Sequence, residues 1–178
     1  ACELSPDGNH LLIAQKTHVD LFHICGPQIS TAVSLEEREE ILGASYIVES
    51  KGPPAVAVIS KSGRLEYSHG ETGERLLEKD LGLGPLTHVS FSSSLAFLHT
   101  RKGVLATLDL HAGEILAHSQ LEGRRFESAF HLAGEKVMVI TDRELLLLEL
   151  RKATYKPWLP VNLERLPGNI TFVKDEPE

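Results

Sequence analysis

The sequence predicts an all-β chain built from about four repeats of roughly forty residues, each a set of four antiparallel strands. Three observations carry that prediction: a gapless internal alignment, turn chemistry between short apolar runs, and strands that are apolar on both faces. In the alignment, the segment from Gly63 to Glu74 lies over the segment from Gly103 to Glu114, an offset of forty residues. The same step places Leu145 under Leu65 and Leu105. Backwards, Val19 to Ile24 has the same character at an offset about six residues longer. The excess falls at residues 35–40, which reads as an insertion between units.

The strands follow in order. The first unit gives residues 1–4, 10–15, 18–24 and 28–34, with Pro6-Asp7-Gly8 as the opening turn. The second gives 43–50, 55–60, 64–68 and 75–81, punctuated by Lys61-Ser62-Gly63 and Glu71-Thr72-Gly73. The third gives 87–92, 94–100, 104–110 and 115–121, with Arg101-Lys102-Gly103 and Ala112-Gly113 at its turns. The fourth gives 126–132, 136–141, 144–150 and 155–163, with Ala133-Gly134 after its first strand. Glycine supplies the positive φ of a tight turn, and Asp hydrogen-bonds its own backbone there. Ser34 followed by Glu37 reads as a capping box, so a helical turn is expected over 36–41. Leucine also favours helix over 144–152, but the forty-residue register and the flanking turns favour a strand.

Val56, Val58 and Ser60 alternate with Ala55, Ala57 and Ile59, and Val137 to Ile140 and Leu145 to Leu148 are continuous apolar runs. Strands buried on both faces need other sheets stacked on each side, which is how β-propeller blades pack. Ser5-Pro6-Asp7-Gly8 followed by His10 to Ala14 resembles the first-to-second strand turn of WD40 repeats. The segment Gly103 to Glu114 resembles a WD40 third strand and also the repeats of quinoprotein-like propellers. Where WD40 repeats place Trp-Asp, this chain has Phe22-His23, Ser68-His69, Leu108-Asp109 and Leu148-Glu149. The resemblance therefore implies a divergent WD40-like propeller, with the quinoprotein-like branch second. As a single domain over 1–178, the blades fall at 1–34, 43–81, 86–121 and 126–163, with 164–178 as a tail or the first strand of a further blade over 170–173. That pattern suits a segment of a longer propeller; the alternative is a small closed ring with 170–173 docked on the first unit. The chain opens at Ala1 on strand-like sequence, as a processed chain or a piece of a longer protein would.

With 178 residues, 42% hydrophobic and 24% charged, the chain has the composition of a globular protein with a real core. A net charge of −7 argues against nucleic-acid or anionic-membrane partners, which demand clustered Lys and Arg. No apolar run reaches the length of a membrane span. Cys2 and Cys25 could form one disulfide or stand as buried free thiols, and two cysteines make no framework. That points to an intracellular compartment, cytoplasm or nucleus. Two tail motifs disagree: Asn169-Ile170-Thr171 is a glycosylation sequon of the secretory lumen, whereas Val173 to Glu176 fits intracellular SUMO attachment.

No metal or other cofactor is expected. The nine histidines show no spacing that sets two ligands on one metal and do not recur at forty-residue intervals. No Gly-x-Ser-x-Gly elbow or phosphate-cradling loop appears; Gly82-Leu83-Gly84-Pro85 reads as a linker between blades. Inner-strand positions such as Ser45, Val89 and Ser128 carry no carboxylate, and Asp109 and Asp142 read as turn braces. Arg124, Arg125 and Phe126 lie at an inter-blade loop with the make-up of an interface hot spot, with Tyr46, His88 and Glu127 near equivalent places. Trp158, between prolines on the last outer strand, either anchors a partner or packs a blade edge. The expected role is a non-catalytic protein-interaction scaffold in an intracellular multiprotein complex. The alternatives are a quinoprotein-like or lactonase-like enzyme with a central-channel site, and a purely structural spacer.

Overall fold

A computed structural model describes residues 2–162 apart from 6–7, 26–27, 37–38, 48–54, 93, 122–124, 134–135 and 152–153. Sixteen strands and no helix are found among them. They run β1 (Cys2–Leu4), β2 (His10–Ala14), β3 (His18–Cys25) and β4 (Gln28–Glu36) in the first sheet. The second holds β5 (Ile41–Ile47), β6 (Ala55–Ser60), β7 (Arg64–His69) and β8 (Arg75–Asp80). The third holds β9 (Leu86–Ser92), β10 (Leu95–Thr100), β11 (Val104–Asp109) and β12 (Glu114–Gln120). The fourth holds β13 (Phe126–Ala133), β14 (Lys136–Thr141), β15 (Glu144–Arg151) and β16 (Thr154–Asn162). Each sheet is an antiparallel meander in chain order, so neighbours in sequence are neighbours in the sheet. Among the described residues no helix is long and apolar enough to cross a membrane.

The core lies between sheets. Leu12, Val19 and Leu21 of the first blade meet Ile41, Ala44, Tyr46, Val56 and Val58 of the second. Ala57, Ile59, Leu65 and Tyr67 of the second meet Ala96, Leu98, Ala106 and Leu108 of the third. Phe97, Leu105 and Ala117 of the third meet Phe126, Ala129, Val137, Val139, Leu146 and Leu148 of the fourth. Every residue of β6 and of β10 is buried. This is the packing that a strand apolar on both faces requires: alternate side chains enter two different cores.

A repeated polar device closes one end of blades two to four. Ser60, Thr100 and Thr141 end the second strands of blades two to four, and their hydroxyls accept from the amides of Arg64 (3.2 Å), Val104 (3.1 Å) and Arg143 (3.4 Å). In blades two and three the same hairpin turns at Gly63 and Gly103, with φ of 95° and 80°, a region costly for residues with a Cβ. Their carbonyls accept from Leu81 and Leu121, at 3.0 and 2.8 Å, which ties the outer strand back to the hairpin. Tyr67 buries its hydroxyl without a partner among the described residues. Burial, and then the charge of Asp109, push its pKa up to about 12.

Three expectations are corrected here. Residues 35 and 36 extend β4, with Asp20 paired to Ser34 and His18 to Glu36, and no helical turn forms there. The Ser34 hydroxyl donates across the sheet to Asp20 Oδ1 at 2.7 Å, so the capping chemistry is spent on a strand partner. Glu37 and Arg38 lie outside the described residues. Cys2 and Cys25 are both free and both exposed, neither bridged nor buried. Tyr46 is buried, packed in the core between the first two blades. The segment 170–173 lies outside the described residues.

Candidate protein interface

The hairpins joining second to third strands and the loops leading from one blade to the next lie at the same end of the strands. Backbone bonds stitch them together: Lys61 N to Glu40 O (2.8 Å), Arg101 N to Pro85 O (3.0 Å) and Asp142 N to Arg125 O (2.9 Å). Across blades, Ile41 N donates to Lys16 O and Leu86 N to Lys61 O, both at 2.8 Å. The inner strands of blades two to four each carry a bulge just after their first residue, at Leu42, Thr87 and Glu127. A bulge adds one unpaired residue and re-aims its side chain.

In blade four the bulge sets Glu127 against Arg125, whose Nε and Nη2 both reach Glu127 Oε1 at 2.8 and 2.7 Å. The Arg125 amide donates to Asp142 Oδ1 (2.9 Å), so this loop is pinned to the neighbouring hairpin as the turn-brace reading of Asp142 expects. With 73% of its side chain exposed, Arg125 is a held but accessible cation. Arg124 lies outside the described residues. Phe126 is fully buried, so it is not a surface contact and the hot-spot reading of that side chain is corrected. It opens β13 in the register of Ile41 and Leu86, the apolar first residues of β5 and β9. Trp158 falls in β16 between Pro157 and Leu159, at the place where pairing with β15 shifts register. Its side chain lies outside what the structure describes.

Phe126, next to Arg125 in the chain, belongs to a small aromatic cluster that sequence reasoning did not find. His99 stacks on Phe126, with ring centroids 5.3 Å apart, and exposed His88 stands 6.3 Å from His99. Thr87 Oγ1 donates to the His99 carbonyl (3.1 Å) and so accepts from His99 Nδ1 (2.9 Å). Nε2 is then the deprotonated nitrogen, buried without a hydrogen-bond partner among the described residues. Burial first, and the neighbouring His88 second, hold its pKa below the usual imidazole value.

The same end of the molecule carries Lys61 on Glu40 (2.9 Å), Arg64 between Glu39 (3.7 Å) and Glu78 (2.6 Å), and Arg143 on Asp142 (3.8 Å). Glu39 also accepts from Ser62 and Ser60, and those hydroxyls hold its carboxyl below the usual range. Arg101 and Lys102 are exposed and form no ion pair among the described residues. The opposite end is made of tight turns. His69 Nδ1 accepts from Glu71 and Thr72 (3.3 and 3.2 Å), while Asp109 Oδ1 accepts from His111 and Ala112 (2.8 and 3.1 Å). Residues at two of the Trp-Asp positions therefore brace turns. One inner-strand carboxylate also escaped the sequence reading. Glu3 on β1 accepts from Ser45 Oγ on β5 (3.1 Å), and burial raises its pKa against the lowering effect of that bond. Among the described residues no group of three or more His, Cys, Asp or Glu side chains is placed to hold a metal ion.

Compared with known protein families the chain matches none, and no curated protein is similar to it in sequence. Solved structures do resemble it. The WD40 domain of Toxoplasma gondii coronin superposes with a TM-score of 0.68 at 14% identity, over 91% of this chain and 46% of that one. BamB from Moraxella catarrhalis superposes with a TM-score of 0.65 at 16% identity, over 91% of this chain and 48% of that one. The chain thus spans about half the length of either neighbour. Stacked four-stranded meanders with this likeness identify the fold: the four sheets are consecutive blades of a β-propeller.

Proposed function

We propose that the chain is a non-catalytic scaffold that binds protein partners within an intracellular multiprotein assembly, through the end that carries Arg125. The observation supporting this reading is an exposed guanidinium clamped by Glu127 on a loop pinned to Asp142. An arginine whose geometry is already fixed loses little conformational entropy on docking, and arginine is enriched among the residues that dominate interface energetics. Arg101 and Lys102, on the corresponding hairpin of the third blade, are exposed cations that form no ion pair among the described residues.

The test is quantitative affinity capture with the wild-type chain, Arg124→Ala/Arg125→Ala, and a control, Glu71→Ala/His111→Ala, at the opposite end. The arginine pair is expected to lose its specific partners by at least about tenfold, with the control unchanged. The Asp142 bond uses the backbone amide of residue 125, so it survives the substitution. An identical partner set for wild type and the arginine variant would reject this surface. Turnover requiring Glu3 would instead favour a channel enzyme.

A further inference from the structure

One position in the blades departs from the pattern of the repeat. The second-strand residue opposite Val19, Leu65, Leu105 and Leu145 is Ala14, Ile59, His99 and Ile140 in turn, three apolar residues and one ionisable one. Its partner on the inner strand is Gly43 in blade two, His88 in blade three and Ser128 in blade four. At the first two junctions this position meets an apolar residue that opens the next inner strand. Ala14 packs against the cluster that holds Ile41, and Ile59 shares a cluster with Leu86. At the third junction His99 stacks on Phe126 with the rings 15° apart, and His88 stands edge-on to the same ring at 6.1 Å. A place filled elsewhere by Ala or Ile thus holds a pair of imidazoles.

The surroundings suit neutral His99 and not its cation. Thr87 already takes the Nδ1 proton, so a second proton must sit on Nε2, which is buried with no acceptor among the described residues. A buried donor without a partner is costly, and a buried charge more so. Strands β9, β11 and β13 pack against β10. From β9 comes one titratable group, His88. From β11 comes Asp109, at the far end opposite Leu95, where it holds the amides of His111 and Ala112. From β13 come Glu127, bound by Arg125, and His131, which pairs with Val137 toward the other end of the strand. The hairpin after β10 adds two cations, Arg101 and Lys102. Of the two carboxylates on these strands, one is remote and the other is taken. The face of Phe126 attracts a cation, but burial outweighs it and, with His88, keeps the His99 pKa below the ordinary imidazole value.

We propose that the junction of blades three and four is an acid-sensitive joint: protonation of His99 parts it from Phe126 and loosens the start of β13, while the other two junctions hold. In the opened state the imidazole titrates near its ordinary value of about 6.5, and in the packed state it titrates lower. The opened state therefore binds the extra proton. The closed junction is at full strength above about pH 6.5, weakens as pH falls from there, and levels off below the packed value. Neither of the other junctions carries an ionisable residue at this place, so the response is local. This inference needs only the stacked blades and stands whether or not Arg125 meets a partner.

The test is hydrogen exchange read by mass spectrometry at about pH 7.5 and about pH 5.5, corrected for the intrinsic pH dependence of exchange. Peptides covering 96–100 and 126–133 should lose protection about five- to tenfold on acidification. Roughly tenfold is the ceiling for one proton taken up near pH 6.5 across that window. Peptides covering 55–69, where Ile59 holds the equivalent place, should change little. His99→Ile installs the residue of blades two and four, and should abolish the acid response at the third junction. A measurement on the wild type alone covers the case of a variant that fails to fold: followed by NMR, the His99 imidazole should titrate below the ordinary range. An equal acid response in His99→Ile, a loss of protection spread evenly into blade two, or a His99 that titrates at its ordinary value would each overturn the proposal.

Discussion

Phe97→Ala is expected to lower the free energy of unfolding by about 3–5 kcal/mol, the cost of removing a buried aromatic side chain and leaving the space empty. Phe97 has no solvent exposure and stands in the middle of β10, reaching the core shared by the third and fourth blades. Its surroundings cannot collapse easily, because the facing residues on β14 and β15 belong to strands hydrogen-bonded on both sides. A urea titration checks it: the midpoint should fall while the slope stays unchanged. A midpoint within the scatter of surface substitutions would mean that the blades do not share a core there.

The second large effect comes from adding atoms. Gly43→Val is expected to cost about 3 kcal/mol, although valine is the better strand former by up to about 1 kcal/mol. The reason is space: a Cβ at Gly43 would stand 2.5 Å from Val89 Cγ1 and 2.9 Å from Phe91 Cε2. Both neighbours are on β9, the inner strand of the next blade, so the inner strands approach too closely for a side chain. Thermal unfolding is the check, and a fall of roughly 10 °C is expected. An unchanged transition would show that β5 and β9 have room between them.

Much of this was legible in the residues. The step from Leu65 to Leu105 to Leu145 places all three on third strands, and the turn glycines Gly63 and Gly103 mark their hairpins. Strand order within each blade follows from that period, because a meander needs no long crossover. Both turn-brace readings, Asp109 and Asp142, hold in the geometry. The misreadings share one cause: a local signal was taken without its register. Ser34 and Glu37 fit a capping box, yet pairing with Asp20 draws Ser34 into the sheet. Phe126 beside two arginines looked like a surface anchor. Its counterparts Ile41 and Leu86 are apolar too, and that recurrence was the available signal for burial. The His99 cluster had no signal at all. His88 and His99 meet only because β9 and β10 pair, and Phe126 joins them only through the stacking of blade four on blade three.

The interaction surface depends on one claim, that the inner strands of consecutive blades lie side by side. The most direct measurement is a double-mutant cycle on unfolding free energy between Gly43→Ala and Val89→Ala. If the two residues touch as placed, Val89→Ala makes room for the new methyl. The double variant should then be more stable than the sum of the singles predicts, with a coupling of at least about 1 kcal/mol. Effects that simply add, within about 0.3–0.5 kcal/mol, would place β5 and β9 apart and contradict the stacked-blade account.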